Sequence, residues 1–314
     1  MSENNYKVRS TAYDDAFRII AQECDDVLVC FVNVMFSEHY TVSAKIERLN
    51  NEHYEQNDDK IDEKIISDAH FRITDKLRSG IYHLECESKG YGEEILIRMF
   101  KYNISHSRKT SGGSPPYKLT IRLPRSGLLI LRDRGKPPEK MTFEIVTPGG
   151  SVSYNVPVVR MSDYSIDRIF RKKMYLLLPF YFFNLEERLE YYNENEEDLQ
   201  EFEKIYSEIV EKIEKESEAK LSGRSKRVII KELENVIRKL ADKKDNVIEK
   251  VGDIMGRIYK KPQYLVEYDE GVAVGEARGE ARGEAKAKAE NDKLRAENES
   301  LRKEVAELRK LVSV

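Results

Sequence analysis

The chain has 314 residues and a mass of 36.6 kDa, long enough for one large or two ordinary domains and too long for a disulfide-stapled miniprotein. Its 54 Lys and Arg against 57 Asp and Glu leave a net charge of −3, so a site for a polyanion must be local, not a global basic field. Charged residues reach 35% and apolar ones 40%, and the charge excess, which sits after about residue 184, points to solvated helices there.

The opening MSENNYKVRS has no apolar run behind its charges, so no secretory signal is expected. Across residues 11–36 the apolar positions Phe17, Ile20, Val27, Phe31, Val34 and Met35 recur at helical spacing, which predicts two packed helices joined near Cys24. A polar stretch, 50–60, separates them from two alternating segments, 65–73 and 81–87, read as an antiparallel hairpin with Gly80 in its turn. Residues 94–106 return to helical spacing, with Ile95, Met99 and Tyr102 on one side and Arg98 and Lys101 near the other. After a turn-rich break at 111–116, segments 128–131, 141–146 and 152–159 read as three further strands, so the expected fold class is α/β, a mixed central sheet flanked by helices.

Residues 164–183 are expected to be helical core, and 185–259 to hold at least two long helices. The apolar run 174–183 is too short to cross a bilayer and contains Pro179, so no membrane span is expected. Three cysteines, Cys24, Cys30 and Cys86, form no CxxC pair and leave an odd thiol, which suits a reducing compartment such as the cytoplasm. Gly275, Gly279 and Gly283 each open a Gly-Glu-Ala-Arg/Lys unit, a frayed helix or hinge. In the tail Leu294, Leu301 and Leu308 fall on d positions and Asn298, Val305 and Val312 on a positions, while Glu297 and Glu304 would face Arg302 and Arg309 of a partner helix. A parallel homodimer is the economical reading of that seam. The expected organisation is a core over 1–183, a helical region over 184–262, the repeat over 263–290 and a short coiled coil over 291–314.

Chemistry concentrates in the hairpin. Alternation puts Asp68, His70 and Arg72 on one face of the first strand, and His83, Glu85 and Glu87 on one face of the second. Neighbouring carboxylates repel unless a cation lies between them, and hard oxygen ligands without a Cys/His set suit Mg²⁺ or Mn²⁺. The bland alternative is an exposed hydrophilic face on an edge hairpin. Neither His70 nor His83 has a partner at fixed helical spacing, and both read as local hydrogen-bonding residues; Cys86 points away from the acids and is not expected to be a nucleophile.

DAHFRI at 68–73, IYHLECES at 81–88 and IRMFKYN at 97–103 resemble the PD-(D/E)XK nuclease family transposases, relatives of the Rpn recombination-promoting nucleases. The likeness extends upstream to YDDAFR at 13–18. It extends downstream to LPRSGLLILR at 123–132, YNVPVVRMSDYSIDRIF at 154–170 and LLLPFYFF at 176–183, covering roughly residues 10–185 as an ordered set of motifs. The resemblance implies a restriction-endonuclease-like core whose acids bind a divalent metal and hydrolyse a phosphodiester in DNA. Asp68 matches the Asp of the motif and Glu85 the acid of the (D/E)XK element, both metal ligands, and Asp14 matches a first-helix acid that would add a ligand or orient the site.

At the third catalytic position the superfamily usually has Lys and this branch often Gln, whereas here stands Glu87. A carboxylate cannot supply positive charge, but it can hold a second metal or orient a metal-bound water. Lys89, two residues on, could supply the missing cation, and Arg98 and Lys101 read as phosphate contacts. The expected activity is a Mg²⁺- or Mn²⁺-dependent DNA endonuclease in a transposition or recombination context. The competing expectation, motivated by Glu87 and the near-neutral charge, is a catalytically degenerate DNA-binding or scaffold protein that oligomerises through its tail.

Overall fold

A computed structural model describes residues 12–49, 52–56, 62–66, 68–88, 91–110, 117–118, 120–132 and 136–259. Residues up to Met255 form one compact unit; of a second, Gly256–Val314, only residues to Tyr259 are described. Lys89, the Gly-Glu-Ala-Arg repeat and the heptads of the tail lie outside the described residues.

Helices α1 (Ala12–Glu23) and α2 (Asp25–Met35) meet at Cys24, as their apolar spacing predicts, and bury Phe17, Ile20, Val27 and Phe31. Strand β1 (Lys45–Arg48) follows, then a separate two-stranded hairpin of β2 (Glu52–Gln56) and β3 (Asp62–Ile66). Next come β4 (Ala69–Thr74), β5 (Ser79–Glu87), α3 (Glu93–Thr110), β6 (Arg125–Ile130), β7 (Lys140–Thr147) and β8 (Gly150–Arg160). The main sheet has six strands in the order β1-β4-β5-β6-β8-β7. It is mixed: β1, β4 and β5 pair antiparallel, β5, β6 and β8 run parallel, and β7 returns antiparallel along the edge. The crossover from β5 to β6 passes through α3, as parallel neighbours require a long connection.

Sheet register decides which side chains meet α3. Glu85 of β5 pairs with Leu128 of β6 and Leu128 with Val158 of β8, so Glu85 shares a face with Leu128 and Ile130. Under α3, Ile95 and Met99 close over Leu128, Ile130 and Val156. Tyr82, Leu84 and Cys86 take the opposite face of β5 and are buried there. The acids therefore sit at the margin of an apolar layer.

The chain continues through α4 (Ile166–Lys172), a buried 3-10 stretch (Tyr175–Asn184) containing Pro179, and α5 (Leu189–Glu194) to the long helices α6 (Glu196–Lys215), α7 (Gly223–Leu240) and α8 (Asp245–Tyr259). Proline removes an amide donor, in keeping with the tighter 3-10 winding at 175–184 in place of a full α-helix. Helix α7 packs on α1 and on the 3-10 stretch. Its N-terminus is bonded to α2: Asp26 Oδ2 accepts from the Ser222 amide at 2.7 Å, and the Ser222 side chain caps α7 by accepting from Ser225 N. Among the described residues no helix is long and apolar enough to cross a membrane.

Two local expectations are corrected. The segment 65–73 is not one strand but the end of β3 and most of β4, which belong to different sheets. Gly80 is not in the turn but inside β5; the reversal is made at 75–78, where the Asp75 carboxylate accepts from the amides of Leu77 and Arg78 at 2.9 and 3.0 Å. The polar stretch 50–60 also contains β2, which has none of the apolar alternation that marks a half-buried strand.

Candidate active site

Ala69 pairs with Leu84 across β4 and β5, so Asp68, just before β4, lies across from Glu85. The two carboxylates are brought together and buried, at 6% and 2% exposure. His70 and His83 are buried as well, so this face is not the exposed edge of a hairpin. Burying charge is costly without partners, and the partners come from three elements.

Each acid has one oxygen fixed by the sheet and another held by an arginine. Asp68 Oδ2 accepts from the Cys86 amide at 2.9 Å, and its Oδ1 accepts from Arg18 Nη2 of α1 at 3.0 Å. Glu85 Oε1 pairs with His83 Nε2 at 2.9 Å and lies 3.4 Å from the Asp68 amide. Glu85 Oε2 accepts from Arg98 Nη2 of α3 at 3.2 Å, and the same nitrogen reaches Glu87 Oε2 at 3.3 Å. Behind Glu85 a polar chain runs inward: His83 Nδ1 meets Asn103 Oδ1 at 2.8 Å, and Asn103 Nδ2 donates to Ser126 Oγ at 2.8 Å. His70 completes the layer by packing against His106, ring centroids 4.0 Å apart, and His83, 5.3 Å apart.

These surroundings drive the two acids apart in proton affinity. Burial, reinforced by the neighbouring Glu85 charge, pushes the Asp68 carboxyl well above the usual range, and Asp14 on α1 adds to that push. Burial also pushes Glu85 upward, but its hydrogen bond to His83 and the charges of His83 and Arg98 outweigh it and hold Glu85 below its ordinary value. Cys86 is buried on the other face, where burial and the Asp68 charge push its thiol up, which leaves it a poor nucleophile.

Several of the residues singled out in the sequence are brought together. Asp68, Glu85, Glu87 and Arg98 are joined by direct contacts, and Asp14 is near enough for its charge to act on Asp68. Lys101 is exposed on α3. Arg98 is not simply a solvent-facing phosphate contact, because it is bonded to two acids. Arg72 is not part of the cluster and pairs with Glu47 across β1. Sequence reasoning missed Arg18, Asn103 and Ser126; the spacing of Arg18 four residues after Asp14, one helical turn on the same face, is the signal that could have found the first.

Among the described residues no group of three or more His, Cys, Asp or Glu is gathered as a ready metal cage. The donor set nevertheless fits a hard divalent cation. Burial, with the charge of Glu85 beside it, raises the Asp68 carboxyl, a cost that a cation between the two would relieve, and Mg²⁺ is commonly held by one or two carboxylates with waters and substrate phosphates completing the shell. Asp68 and Glu85 are the residues that would hold it. No family model, no curated protein and no solved structure matches the chain.

Proposed function

We propose that the chain is a Mg²⁺- or Mn²⁺-dependent DNA endonuclease of the PD-(D/E)XK type, acting in transposition or recombination. The observation that carries the reading is the buried Asp68–Glu85 pair, opposed across two strands and countered by Arg18 and Arg98. A mixed sheet flanked by helices, with the acids at the ends of adjacent central strands, is in keeping with the fold that the motifs imply.

A divalent ion at this pair would polarise the scissile phosphate and acidify its bound water, the two demands of phosphodiester hydrolysis. The protein's own residues do the positioning. Glu85 is held by His83 through one oxygen, leaving the other directed toward Arg98. Glu87 takes the place of the usual Lys or Gln, and the positive charge it lacks comes from α3, where Arg98 is salt-bridged to it. Lys101, three residues beyond Arg98, would add to phosphate binding on the same helix.

The test is cleavage of supercoiled plasmid by the purified chain with Mg²⁺, with Mn²⁺ and with chelator, beside Glu85→Ala. Nicking that requires metal and falls in the variant by more than the roughly 10–100-fold typical of losing an outer-shell partner of a ligand supports the nuclease. A folded wild type that is inert but still binds DNA favours the second reading, the degenerate DNA-binding scaffold that Glu87 by itself would suggest.

A further inference from the structure

The arginines of the site occupy an unusual position. On both acids one oxygen is bonded to the Cys86 amide or to His83, while the other oxygen is covered by a guanidinium. Those covered oxygens are the ones a cation shared by Asp68 and Glu85 would use. Arg98 spans Glu85 and Glu87 with a single nitrogen at 3.2 and 3.3 Å, a divided contact weaker than a two-nitrogen fork. Its side chain is 42% exposed although its partner Glu85 is 2% exposed, so it reaches the buried acid from the surface and can leave by rotating about its own side chain. Guanidinium and divalent cation compete for the same carboxylate oxygen, and a planar guanidinium set free beside a metal site is well shaped for a phosphate.

We propose that Arg98 is an exchanging residue: it neutralises Glu85 and Glu87 until a divalent cation takes the Glu85 oxygen, and it then binds a backbone phosphate of the DNA. The proposal rests on the nuclease reading and adds to it a reason for Glu87. Glu87 is the second acceptor that parks the arginine at the site, where a Lys at that position would repel it. Because binding couplings are reciprocal, cation and DNA each strengthen the other's binding through this one side chain.

Calorimetric Mn²⁺ titration of the full chain as wild type, Arg98→Ala and Arg98→Met tests the first half; the Met variant keeps the alkyl packing and removes only the charge. Fluorescence anisotropy with a hydrolysis-resistant phosphorothioate duplex, in Mn²⁺ and in chelator, tests the second. Both variants are expected to bind Mn²⁺ more tightly, by roughly tenfold for removal of one competing cation at a half-exposed position. They are also expected to bind the duplex more weakly in Mn²⁺, with about one unit less salt dependence, and like the wild type in chelator. Unchanged or weaker Mn²⁺ binding by both variants, in a wild type that does bind Mn²⁺, overturns the exchange and leaves the nuclease reading intact. Equal duplex binding in Mn²⁺ overturns the handover to phosphate. A wild type that takes up no Mn²⁺ removes the nuclease reading and the exchange with it.

Discussion

His83 ties three elements together through one ring. From β5 it reaches Glu85 beside it and Asn103 of α3, which passes the contact to Ser126 of β6. A buried carboxylate that is to hold a cation must keep one orientation, and a hydrogen bond to its second oxygen provides that. His83→Ala should therefore raise the dissociation constant for Mn²⁺ by about 10–100-fold, while His83→Gln, whose amide N–H can donate to Glu85, should recover much of the loss; calorimetry on both variants decides it. Equal binding by wild type and His83→Ala would assign the ring to packing alone. Alternation in the sequence already placed His83, Glu85 and Glu87 on one face and Asp68 near them. It did not reveal that this face is buried, because a polar strand face ordinarily signals solvent; the acids are tolerated inside because Arg18 and Arg98 arrive from helices and the Cys86 amide and His83 bond their other oxygens. Which helical residues turn toward a sheet is settled by packing, so Asn103 had no signature in its own segment.

At the scale of elements, long periodic segments were legible and short or polar ones were not. The paired helices at the start, α3 and the strands β6 to β8 follow from apolar spacing strong enough to outweigh local turn preferences. The β4–β5 reversal was misplaced because glycine was read as turn punctuation. Gly80 instead permits close packing, since a Cβ there would stand 2.9 Å from the Tyr40 hydroxyl, which is hydrogen-bonded to that of Tyr82 at 3.0 Å. Charge alternation after residue 184 predicted helices but not their docking, and the contact of α7 with α1 has an electrostatic cost. Glu232 of α7 is 3% exposed; burial raises its carboxyl, Asn235 partly offsets this, and Glu23 and Asp15 of α1 add to the rise. The folded state then holds this proton more tightly than the unfolded chain, so stability falls as pH climbs from the ordinary glutamate value through the raised one. Glu232→Gln keeps an oxygen for the Asn235 amide and removes the charge. Its gain in melting temperature over wild type should be near zero below the ordinary glutamate value of about 4.3 and grow as pH climbs through the raised one; thermal melts over a pH series that show a constant difference would refute the assignment.

For the whole molecule the proposed nuclease raises the matter of stoichiometry, since one Asp68–Glu85 pair would serve one strand of a duplex. The tail heptads lie outside the described residues, but their sequence makes a specific demand. In a coiled coil, leucine at d with valine at two a positions would favour two strands, the single Asn298 at a would fix register, and Glu297 and Glu304 would face Arg302 and Arg309 in the parallel, in-register arrangement. We propose a parallel homodimer that supplies two active sites per assembly. Light scattering on the full chain should then give about twice 36.6 kDa, and Leu301→Glu with Leu308→Glu should return the monomer by placing like charges at two of the three d positions of the seam. Because the substitutions change none of the residues of the candidate site, nicking of plasmid per chain should change little, within about twofold. Conversion of nicked to linear plasmid should slow markedly and become dependent on protein concentration, since the second cut then waits for a second encounter. A variant that is monomeric yet linearises plasmid as the wild type does would separate dimerisation from double-strand cutting and assign the tail another role.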